Sequence, residues 1–181
     1  MTVAWVSRVR LAALAAALCA VAGGAAGAEL RGGVIRQDFK DLWAAPAEYE
    51  RAWALNAEIG FAPLFTVLGG DFAPFAGATW APGDNVDKLY GGLAWEFRLD
   101  TLFLRAGVGG VVHNGKVNSP TSFGTRRQFG SRVLFHVPVE IGVRVAERTR
   151  VSLYFDHMSN AKFSDFNPGM DSLGIRVGWS F

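Results

Sequence analysis

His157 and Ser159 stand two residues apart in Arg150-Val-Ser-Leu-Tyr-Phe-Asp-His-Met-Ser159, and Asp171 heads the closing segment Ser172-Leu-Gly-Ile-Arg-Val-Gly-Trp-Ser-Phe181. A neutral imidazole that takes a hydroxyl proton turns serine from a poor nucleophile into an effective one. A carboxylate on the other ring nitrogen fixes the tautomer and stabilises the imidazolium that forms. Read at period two, Val151, Leu153, Phe155, His157 and Ser159 share one face of a strand. Leu173, Ile175, Val177, Trp179 and Phe181 do the same in the last segment, and counting back by twos puts Asp171 on that face. Strand register that brings Asp171 beside His157 would complete a hydrolytic triad. A second reading fits the same residues. His-x-Ser is a common spacing, and a histidine and serine at a strand end can simply face water, with Asp171 an ordinary turn residue.

The elements that must position these side chains are strands. No segment after the first 28 residues offers a long unbroken apolar run; instead, segments of about ten residues alternate apolar, aromatic and small residues between turn-like clusters, as in a transmembrane β-barrel. Eight are expected, over 33–42, 51–60, 72–81, 88–99, 102–112, 129–146, 150–159 and 172–181. Pro74 suits an entry or edge position, and Pro138 suggests a bulge in the long sixth segment. The fold class is therefore all-β, an eight-stranded antiparallel transmembrane β-barrel. Asp100-Thr101 and Glu147-Arg148-Thr149 make very short links, whereas 82–87, 114–125 and 160–170 are long. Short turns face the periplasm and long loops face outward in such barrels, and an even strand count returns both termini to the periplasm. A soluble β-sandwich or lipocalin-like barrel also alternates, but its outward positions are charged. Here the outward row of the last segment ends Val177, Trp179, Phe181, and the opposite row carries Arg176 and Ser180.

Residues 1–28 are set apart from this pattern. Arg8 and Arg10 precede the apolar run 11–22, and Ala26-Gly-Ala28 matches an A-x-A cleavage site, so 1–28 reads as a secretory signal peptide and 29–181 as the barrel. Two of the 18 basic residues lie in this leader and none of the 16 acidic ones does, so the remaining chain is electrically balanced. That balance argues against a nucleic-acid partner. The single cysteine, Cys19, also lies in the leader, which leaves the barrel without a disulfide or cysteine metal site. His113 and His136 are isolated loop or lumen residues, so neither a metal nor a cofactor is expected. Trp53, Trp80, Trp95 and Trp179 read as interface girdle or barrel packing.

All three candidate triad residues share the lipid-facing parity at the outer end of the last two segments, where a polar group is costly and usually functional. The string around them, His157-Met-Ser-Asn-Ala161 with Asn167-Pro-Gly-Met-Asp171, resembles the H-x-S-N-A and N-x-G-x-[E/D] pair of the lipid A 3-O-deacylases, the PagL family. The likeness extends more faintly through Phe103–Gly109 and Phe129–Val133. It implies an eight-stranded esterase of the cell outer membrane that removes the 3-O-linked acyl chain from lipid A of lipopolysaccharide. Ser159 would be the nucleophile, His157 the general base and Asp171 the acid, at a position often held by Glu, so the shorter side chain must come closer to His157. Asn160 and Asn167 are implied as oxyanion or site-positioning groups. Lys162 stands where a small residue is expected and could meet a lipid A phosphate.

Expected partners are therefore lipopolysaccharide and the membrane, with a homodimer an open option. Two other readings stay in view: a non-enzymatic small barrel that binds through its outer loops, and an acyltransferase on the same scaffold. The leader reading carries its own check: N-terminal sequencing of the protein recovered from outer membranes is expected to begin at Glu29.

Overall fold

The computed structural model describes residues 27–39, 42–44, 52–83, 85–117, 128–163 and 168–181; the proposed leader lies outside them almost entirely. Nine strands are found there: β1 (Glu29–Gln37), β2 (Trp53–Gly60), β3 (Phe65–Val67), β4 (Gly70–Trp80), β5 (Lys88–Leu99), β6 (Leu102–His113), β7 (Val133–Arg144), β8 (Thr149–Ser159) and β9 (Met170–Ser180). All pair antiparallel, β1 pairs with both β2 and β9, and β2 also pairs with β4, so the sheet closes on itself. Eight strands form the all-β barrel that the alternation predicts. The short β3 is additional. It pairs only with the start of β4, where β2 has already ended.

Most strand ends shift by one or two residues from the expectation, and the larger departures have local reasons. The first strand begins at Glu29 rather than Gly33 and stops at Gln37 rather than Leu42, because Asp38 turns to φ +54°. The sixth long strand is shorter than 129–146: Phe129 belongs to the loop, where its amide donates to Lys116 O at 2.9 Å. Pro138 makes no bulge. The β6–β7 register is the same on both sides of it, and the ladder merely skips the pairs opposite Val137 and Pro138, since proline has no N–H to donate.

The side-chain partition is that of a wall facing lipid. Leu55, Leu93, Val108, Ile141, Leu153 and Ile175 point outward and are exposed, while Glu58, Arg105, Glu140 and Arg176 point inward and are buried. A hydrocarbon surroundings demands this inversion, and closure removes the strand edges that lipid could not hydrogen-bond. The lumen is divided along its axis. Toward the outer loops Phe75, Tyr90, Val111, Leu134, Met158 and Met170 pack beside a single buried ion pair, Lys88 with Asp156. Toward the short turns it holds ions. Arg176 Nη1 donates to Glu58 Oε2 at 3.1 Å and to Asn56 Oδ1 at 3.2 Å, its other nitrogens bond Glu140, and its guanidinium lies 3.8 Å over the Tyr154 ring. Arg105 and Arg31 add further contacts to Glu58 at 3.0 and 3.1 Å.

The two ends of the barrel meet at the short-turn end, where Phe181 N donates to Ala28 O at 3.1 Å. The links after β5 and β7 are tight, Asp100 at φ +54° allowing one and the Val145 and Thr149 backbones bonding across the other. The network at Arg176 generates a prediction. Arg176→Ala leaves Glu58 and Glu140 with less countercharge in a dry lumen, and a loss of about 3–5 kcal/mol is expected, read from urea unfolding of the barrel refolded into lipid vesicles.

Candidate active site

Residues β8 and β9 bring His157 and Asp171 together by main-chain pairing alone. They are direct partners in the antiparallel register, as are Asp156 and Ser172 one step inward. Side chains opposite one another in such a pair stand about 4.5–5.5 Å apart at Cβ, so an aspartate is long enough to reach the ring. His157 Nδ1 and Asp171 Oδ1 are 2.7 Å apart. With Nδ1 engaged by the carboxylate, Nε2 is left as the basic nitrogen. Ser159 lies two residues further along β8 on the same outward face, paired with Phe135 of β7. The hydrogen bonds found among the described residues tie His157 to Asp171 and none to Ser159; contacts of this kind commonly tighten only with substrate bound.

The pair faces outward, yet it is covered. Leu153 and Ile175 on the same rows are 49% and 62% exposed, whereas His157 is 6% and Asp171 0%. The cover comes from the chain that follows β1. Trp43 N and Ala44 N donate to Asp171 Oδ2 at 2.6 and 2.7 Å, and Phe39 N donates to Asp171 O at 3.0 Å. The indole of Trp43 lies on the imidazole with ring centroids 4.3 Å apart and planes 14° from parallel. Asp171 thus has both carboxylate oxygens occupied by three N–H donors, which satisfies an acceptor-only group that would otherwise sit bare against lipid.

Gly169 leaves space at the edge of the ring. It has φ +61°, and a Cβ there would stand 3.0 Å from His157 Cε1 and 3.2 Å from Met158 O. Glycine is favoured on both counts.

The turn after Ser159 is built against the usual residue preferences. Phe163 N donates to Asn160 O at 2.9 Å, and the two central residues, Ala161 and Lys162, have φ +50° and +67°. Positive φ at both centres is the type I′ pattern, which glycine, asparagine and aspartate normally fill. Asn160 holds it: Oδ1 accepts from Lys162 N at 3.0 Å, and Nδ2 donates to Phe129 O at 3.2 Å. Asn160 is buried at 3%, directly behind Ser159. The Lys162 side chain is exposed. Asn167 lies outside the described residues.

A cavity of about 550 Å³ is lined by Gly109, Gly110, Val133, Phe135, Asn160 and Phe163 among others; Ser159 does not line it, but its cross-strand partner Phe135 and its chain neighbour Asn160 do. Its floor is low because Gly110 stands opposite Phe135 and Gly91 opposite Gly110 on the outward face. The other histidines are elsewhere. His136 is inside the lumen, 3.6 Å from Asp156, and His113 Nε2 is 2.8 Å from Ser131 O. Among the described residues no three His, Cys, Asp or Glu side chains converge as metal ligands.

Trp43, the amides at 43 and 44 and Gly169 are parts of this site that no periodic signal marks. The first three act through a loop and its backbone; the glycine is visible in Asn167-Pro-Gly-Met-Asp171, but its contact with His157 needs the fold.

These features define an outer-membrane-type barrel that carries a serine, a histidine and an aspartate on its outer wall near the long-loop end. The family model described as lipid A 3-O-deacylase (PagL) matches residues 43–180, and the chain belongs to that family. The lipid A deacylase PagL of Bordetella bronchiseptica (strain ATCC BAA-588 / NCTC 13252 / RB50) is 30% identical over 122 residues, covering 61% of this chain and 63% of that relative. The match therefore spans less than two thirds of the relative's length. Among solved structures, the outer membrane enzyme PagL superposes with a TM-score of 0.61 at 17% identity, over 84% of this chain and 99% of that one. The N-terminal β-barrel domain of Pseudomonas aeruginosa OprF gives 0.58 at 15% identity, over 87% and 98%. At these identities the structural likeness concerns the fold.

Gly169→Ala tests the packing around the imidazole. The strained φ and the contact with His157 are expected to destabilise the barrel by about 1–2 kcal/mol, measured as a lowered denaturation midpoint, and to shift the ring-proton resonances of His157.

Proposed function

We propose that this protein hydrolyses the 3-O-linked acyl ester of lipid A in the outer leaflet of the outer membrane, with Ser159 as nucleophile, His157 as general base and Asp171 as the group that orients the base. The observation that carries the reading is the 2.7 Å contact between His157 Nδ1 and Asp171 Oδ1, on the outward face two residues from Ser159. In the first step Ser159 Oγ attacks the ester carbonyl while His157 Nε2 takes its proton. The tetrahedral intermediate collapses as the imidazolium returns that proton to the leaving 3-hydroxyl of the sugar. Water, activated by the same nitrogen, then releases the fatty acid and frees the serine.

Asn160 and Asn167 are proposed as positioning groups. For Asn160 the support is its place under the turn that follows Ser159, where both ends of its amide are engaged. The cavity at Phe135 and Asn160, the cross-strand partner and chain neighbour of Ser159, supports an apolar acyl group as substrate. Its volume falls in the roughly 300–1,000 Å³ range of small-molecule sites, and Val133, Phe135 and Phe163 on its walls are exposed at 60%, 45% and 83%. A lipid substrate reaches such a wall by lateral diffusion, so no passage through the filled lumen is needed. His157, Ser159 and Asp171 all come from one chain, and a homodimer would add nothing to the triad itself.

Mass spectrometry of lipid A from cells expressing the protein tests the reading. The wild type is expected to remove one hydroxyacyl chain and Ser159→Ala none, with both barrels folded in the membrane. Full deacylation by the alanine variant would sink the assignment of the nucleophile, and a gain of mass would indicate acyl transfer.

A further inference from the structure

A stacked indole and two backbone amides from one short stretch converge on the His157–Asp171 pair, and neither belongs to the strands that carry the pair. The imidazole is restrained in two independent ways: in its plane by Asp171 Oδ1 and on one face by the Trp43 ring. The carboxylate is restrained by Trp43 N and Ala44 N on its other oxygen. Trp43 takes part in both. Its amide fixes the acid and its side chain fixes the base, so one residue sets the two groups relative to each other. It does this while 60% exposed itself. An indole used only for burial would turn into the protein; this one keeps one face on the imidazole and leaves the rest exposed.

We infer that Trp43 is a positioning residue for the reaction: its ring holds the plane of the His157 imidazole so that Nε2 stays aimed at Ser159, and its amide, with that of Ala44, holds Asp171 on Nδ1. The inference rests on the hydrolase reading above and adds to it a residue outside the serine, histidine and aspartate. Stacking without a hydrogen bond restricts tilt of the ring but takes no part in proton transfer. Loss of the ring therefore slows the chemical step and leaves substrate binding nearly unchanged. Rigid placement of reacting groups is a large term in catalysis, and small misplacements are felt strongly.

The test uses the full-length barrel purified in detergent, with two readouts on wild type, Trp43→Leu, Trp43→Phe and Ser159→Ala. One is deacylation of lipopolysaccharide, separated into kcat and KM. The other is the rate at which a fluorophosphonate probe labels Ser159, which needs the activated serine but not the lipid. Aromatic contacts of this size correspond to about a two- to tenfold effect on rate. Trp43→Leu is expected to lower kcat and the labelling rate together by about tenfold with KM little changed, and Trp43→Phe to restore both to within about threefold of wild type. Wild-type kcat and labelling in the leucine variant would overturn the inference, as would a change confined to KM, which would make Trp43 a substrate contact. If the leucine variant does not fold, Trp43→Met takes its place under the same criteria. Absence of both labelling and deacylation in the folded wild type would remove the hydrolase reading itself and the inference with it; labelling that is equal in every Trp43 variant removes only the inference.

Discussion

Arg176 is fully buried at the middle of the lumen, and its charge decides how the rest of the barrel can be built. Eight strands leave an interior just wide enough for side chains, and an arginine there must meet carboxylates within bonding distance or it cannot be dry. Glu58 from β2 and Glu140 from β7 supply them, so one guanidinium ties together strands on different sides of the closed sheet. Arg31 and Arg105 then balance what Glu58 and Glu140 still carry. The wall needs no apolar core because its apolar side faces lipid. Specificity of closure falls instead to this charged cluster and to the packed aromatic and methionine layer above it.

That division of the lumen leaves the outside as the place for chemistry. An interior filled by ion pairs and by Met158, Met170 and Phe75 gives no route through the barrel. The inward neighbours of the site show the same separation. Asp156, next to His157, points into the lumen and is bonded there by Lys88 Nζ at 2.8 Å, which also reaches Ser172 beside Asp171. Lys88 belongs to β5, so the β8–β9 pair is braced from inside by a strand across the barrel while it presents His157 and Asp171 outside. The alternation of a strand thus places two polar pairs back to back through one sheet, Lys88 with Asp156 inside and His157 with Asp171 outside.

Alternation made most of the barrel legible in the sequence. The β5 bounds follow it residue for residue, and the outward rows of β8 and β9 place His157, Ser159 and Asp171 on one face before any register is known. What it misses are departures from period two. The start of β1 was hidden by Gly32 and Gly33, which carry no side chain to alternate, and the three-residue β3 is too short to show a period. Pro138 suggested a bulge because sequence gives the missing donor but not whether the register resumes. In the site, pairing of His157 with Asp171 follows from two strands that each read clearly. The cover over them does not, since the stacked Trp43 ring and two main-chain N–H groups, which any residue offers, come from a non-repeating loop.

The carboxylate beside His157 is an aspartate at a position that the resemblance to the family marks as often Glu, and the cover explains how the shorter residue fits. Direct cross-strand pairing already brings the two Cβ atoms to within about 5.5 Å, so a two-atom reach suffices for Oδ1 to meet Nδ1. The second oxygen is then carried close enough to the chain after β1 for two amides to bond it at 2.6 and 2.7 Å. A carboxylate one methylene longer, starting from the same Cα, would have to fold back to keep Nδ1 or push into Trp43 and Ala44. The length of the acid, the register of β8 with β9 and the seat of the loop are thus one geometric solution. Changing any of the three requires the other two to move, and on a wall facing lipid there is no water to fill the space between them.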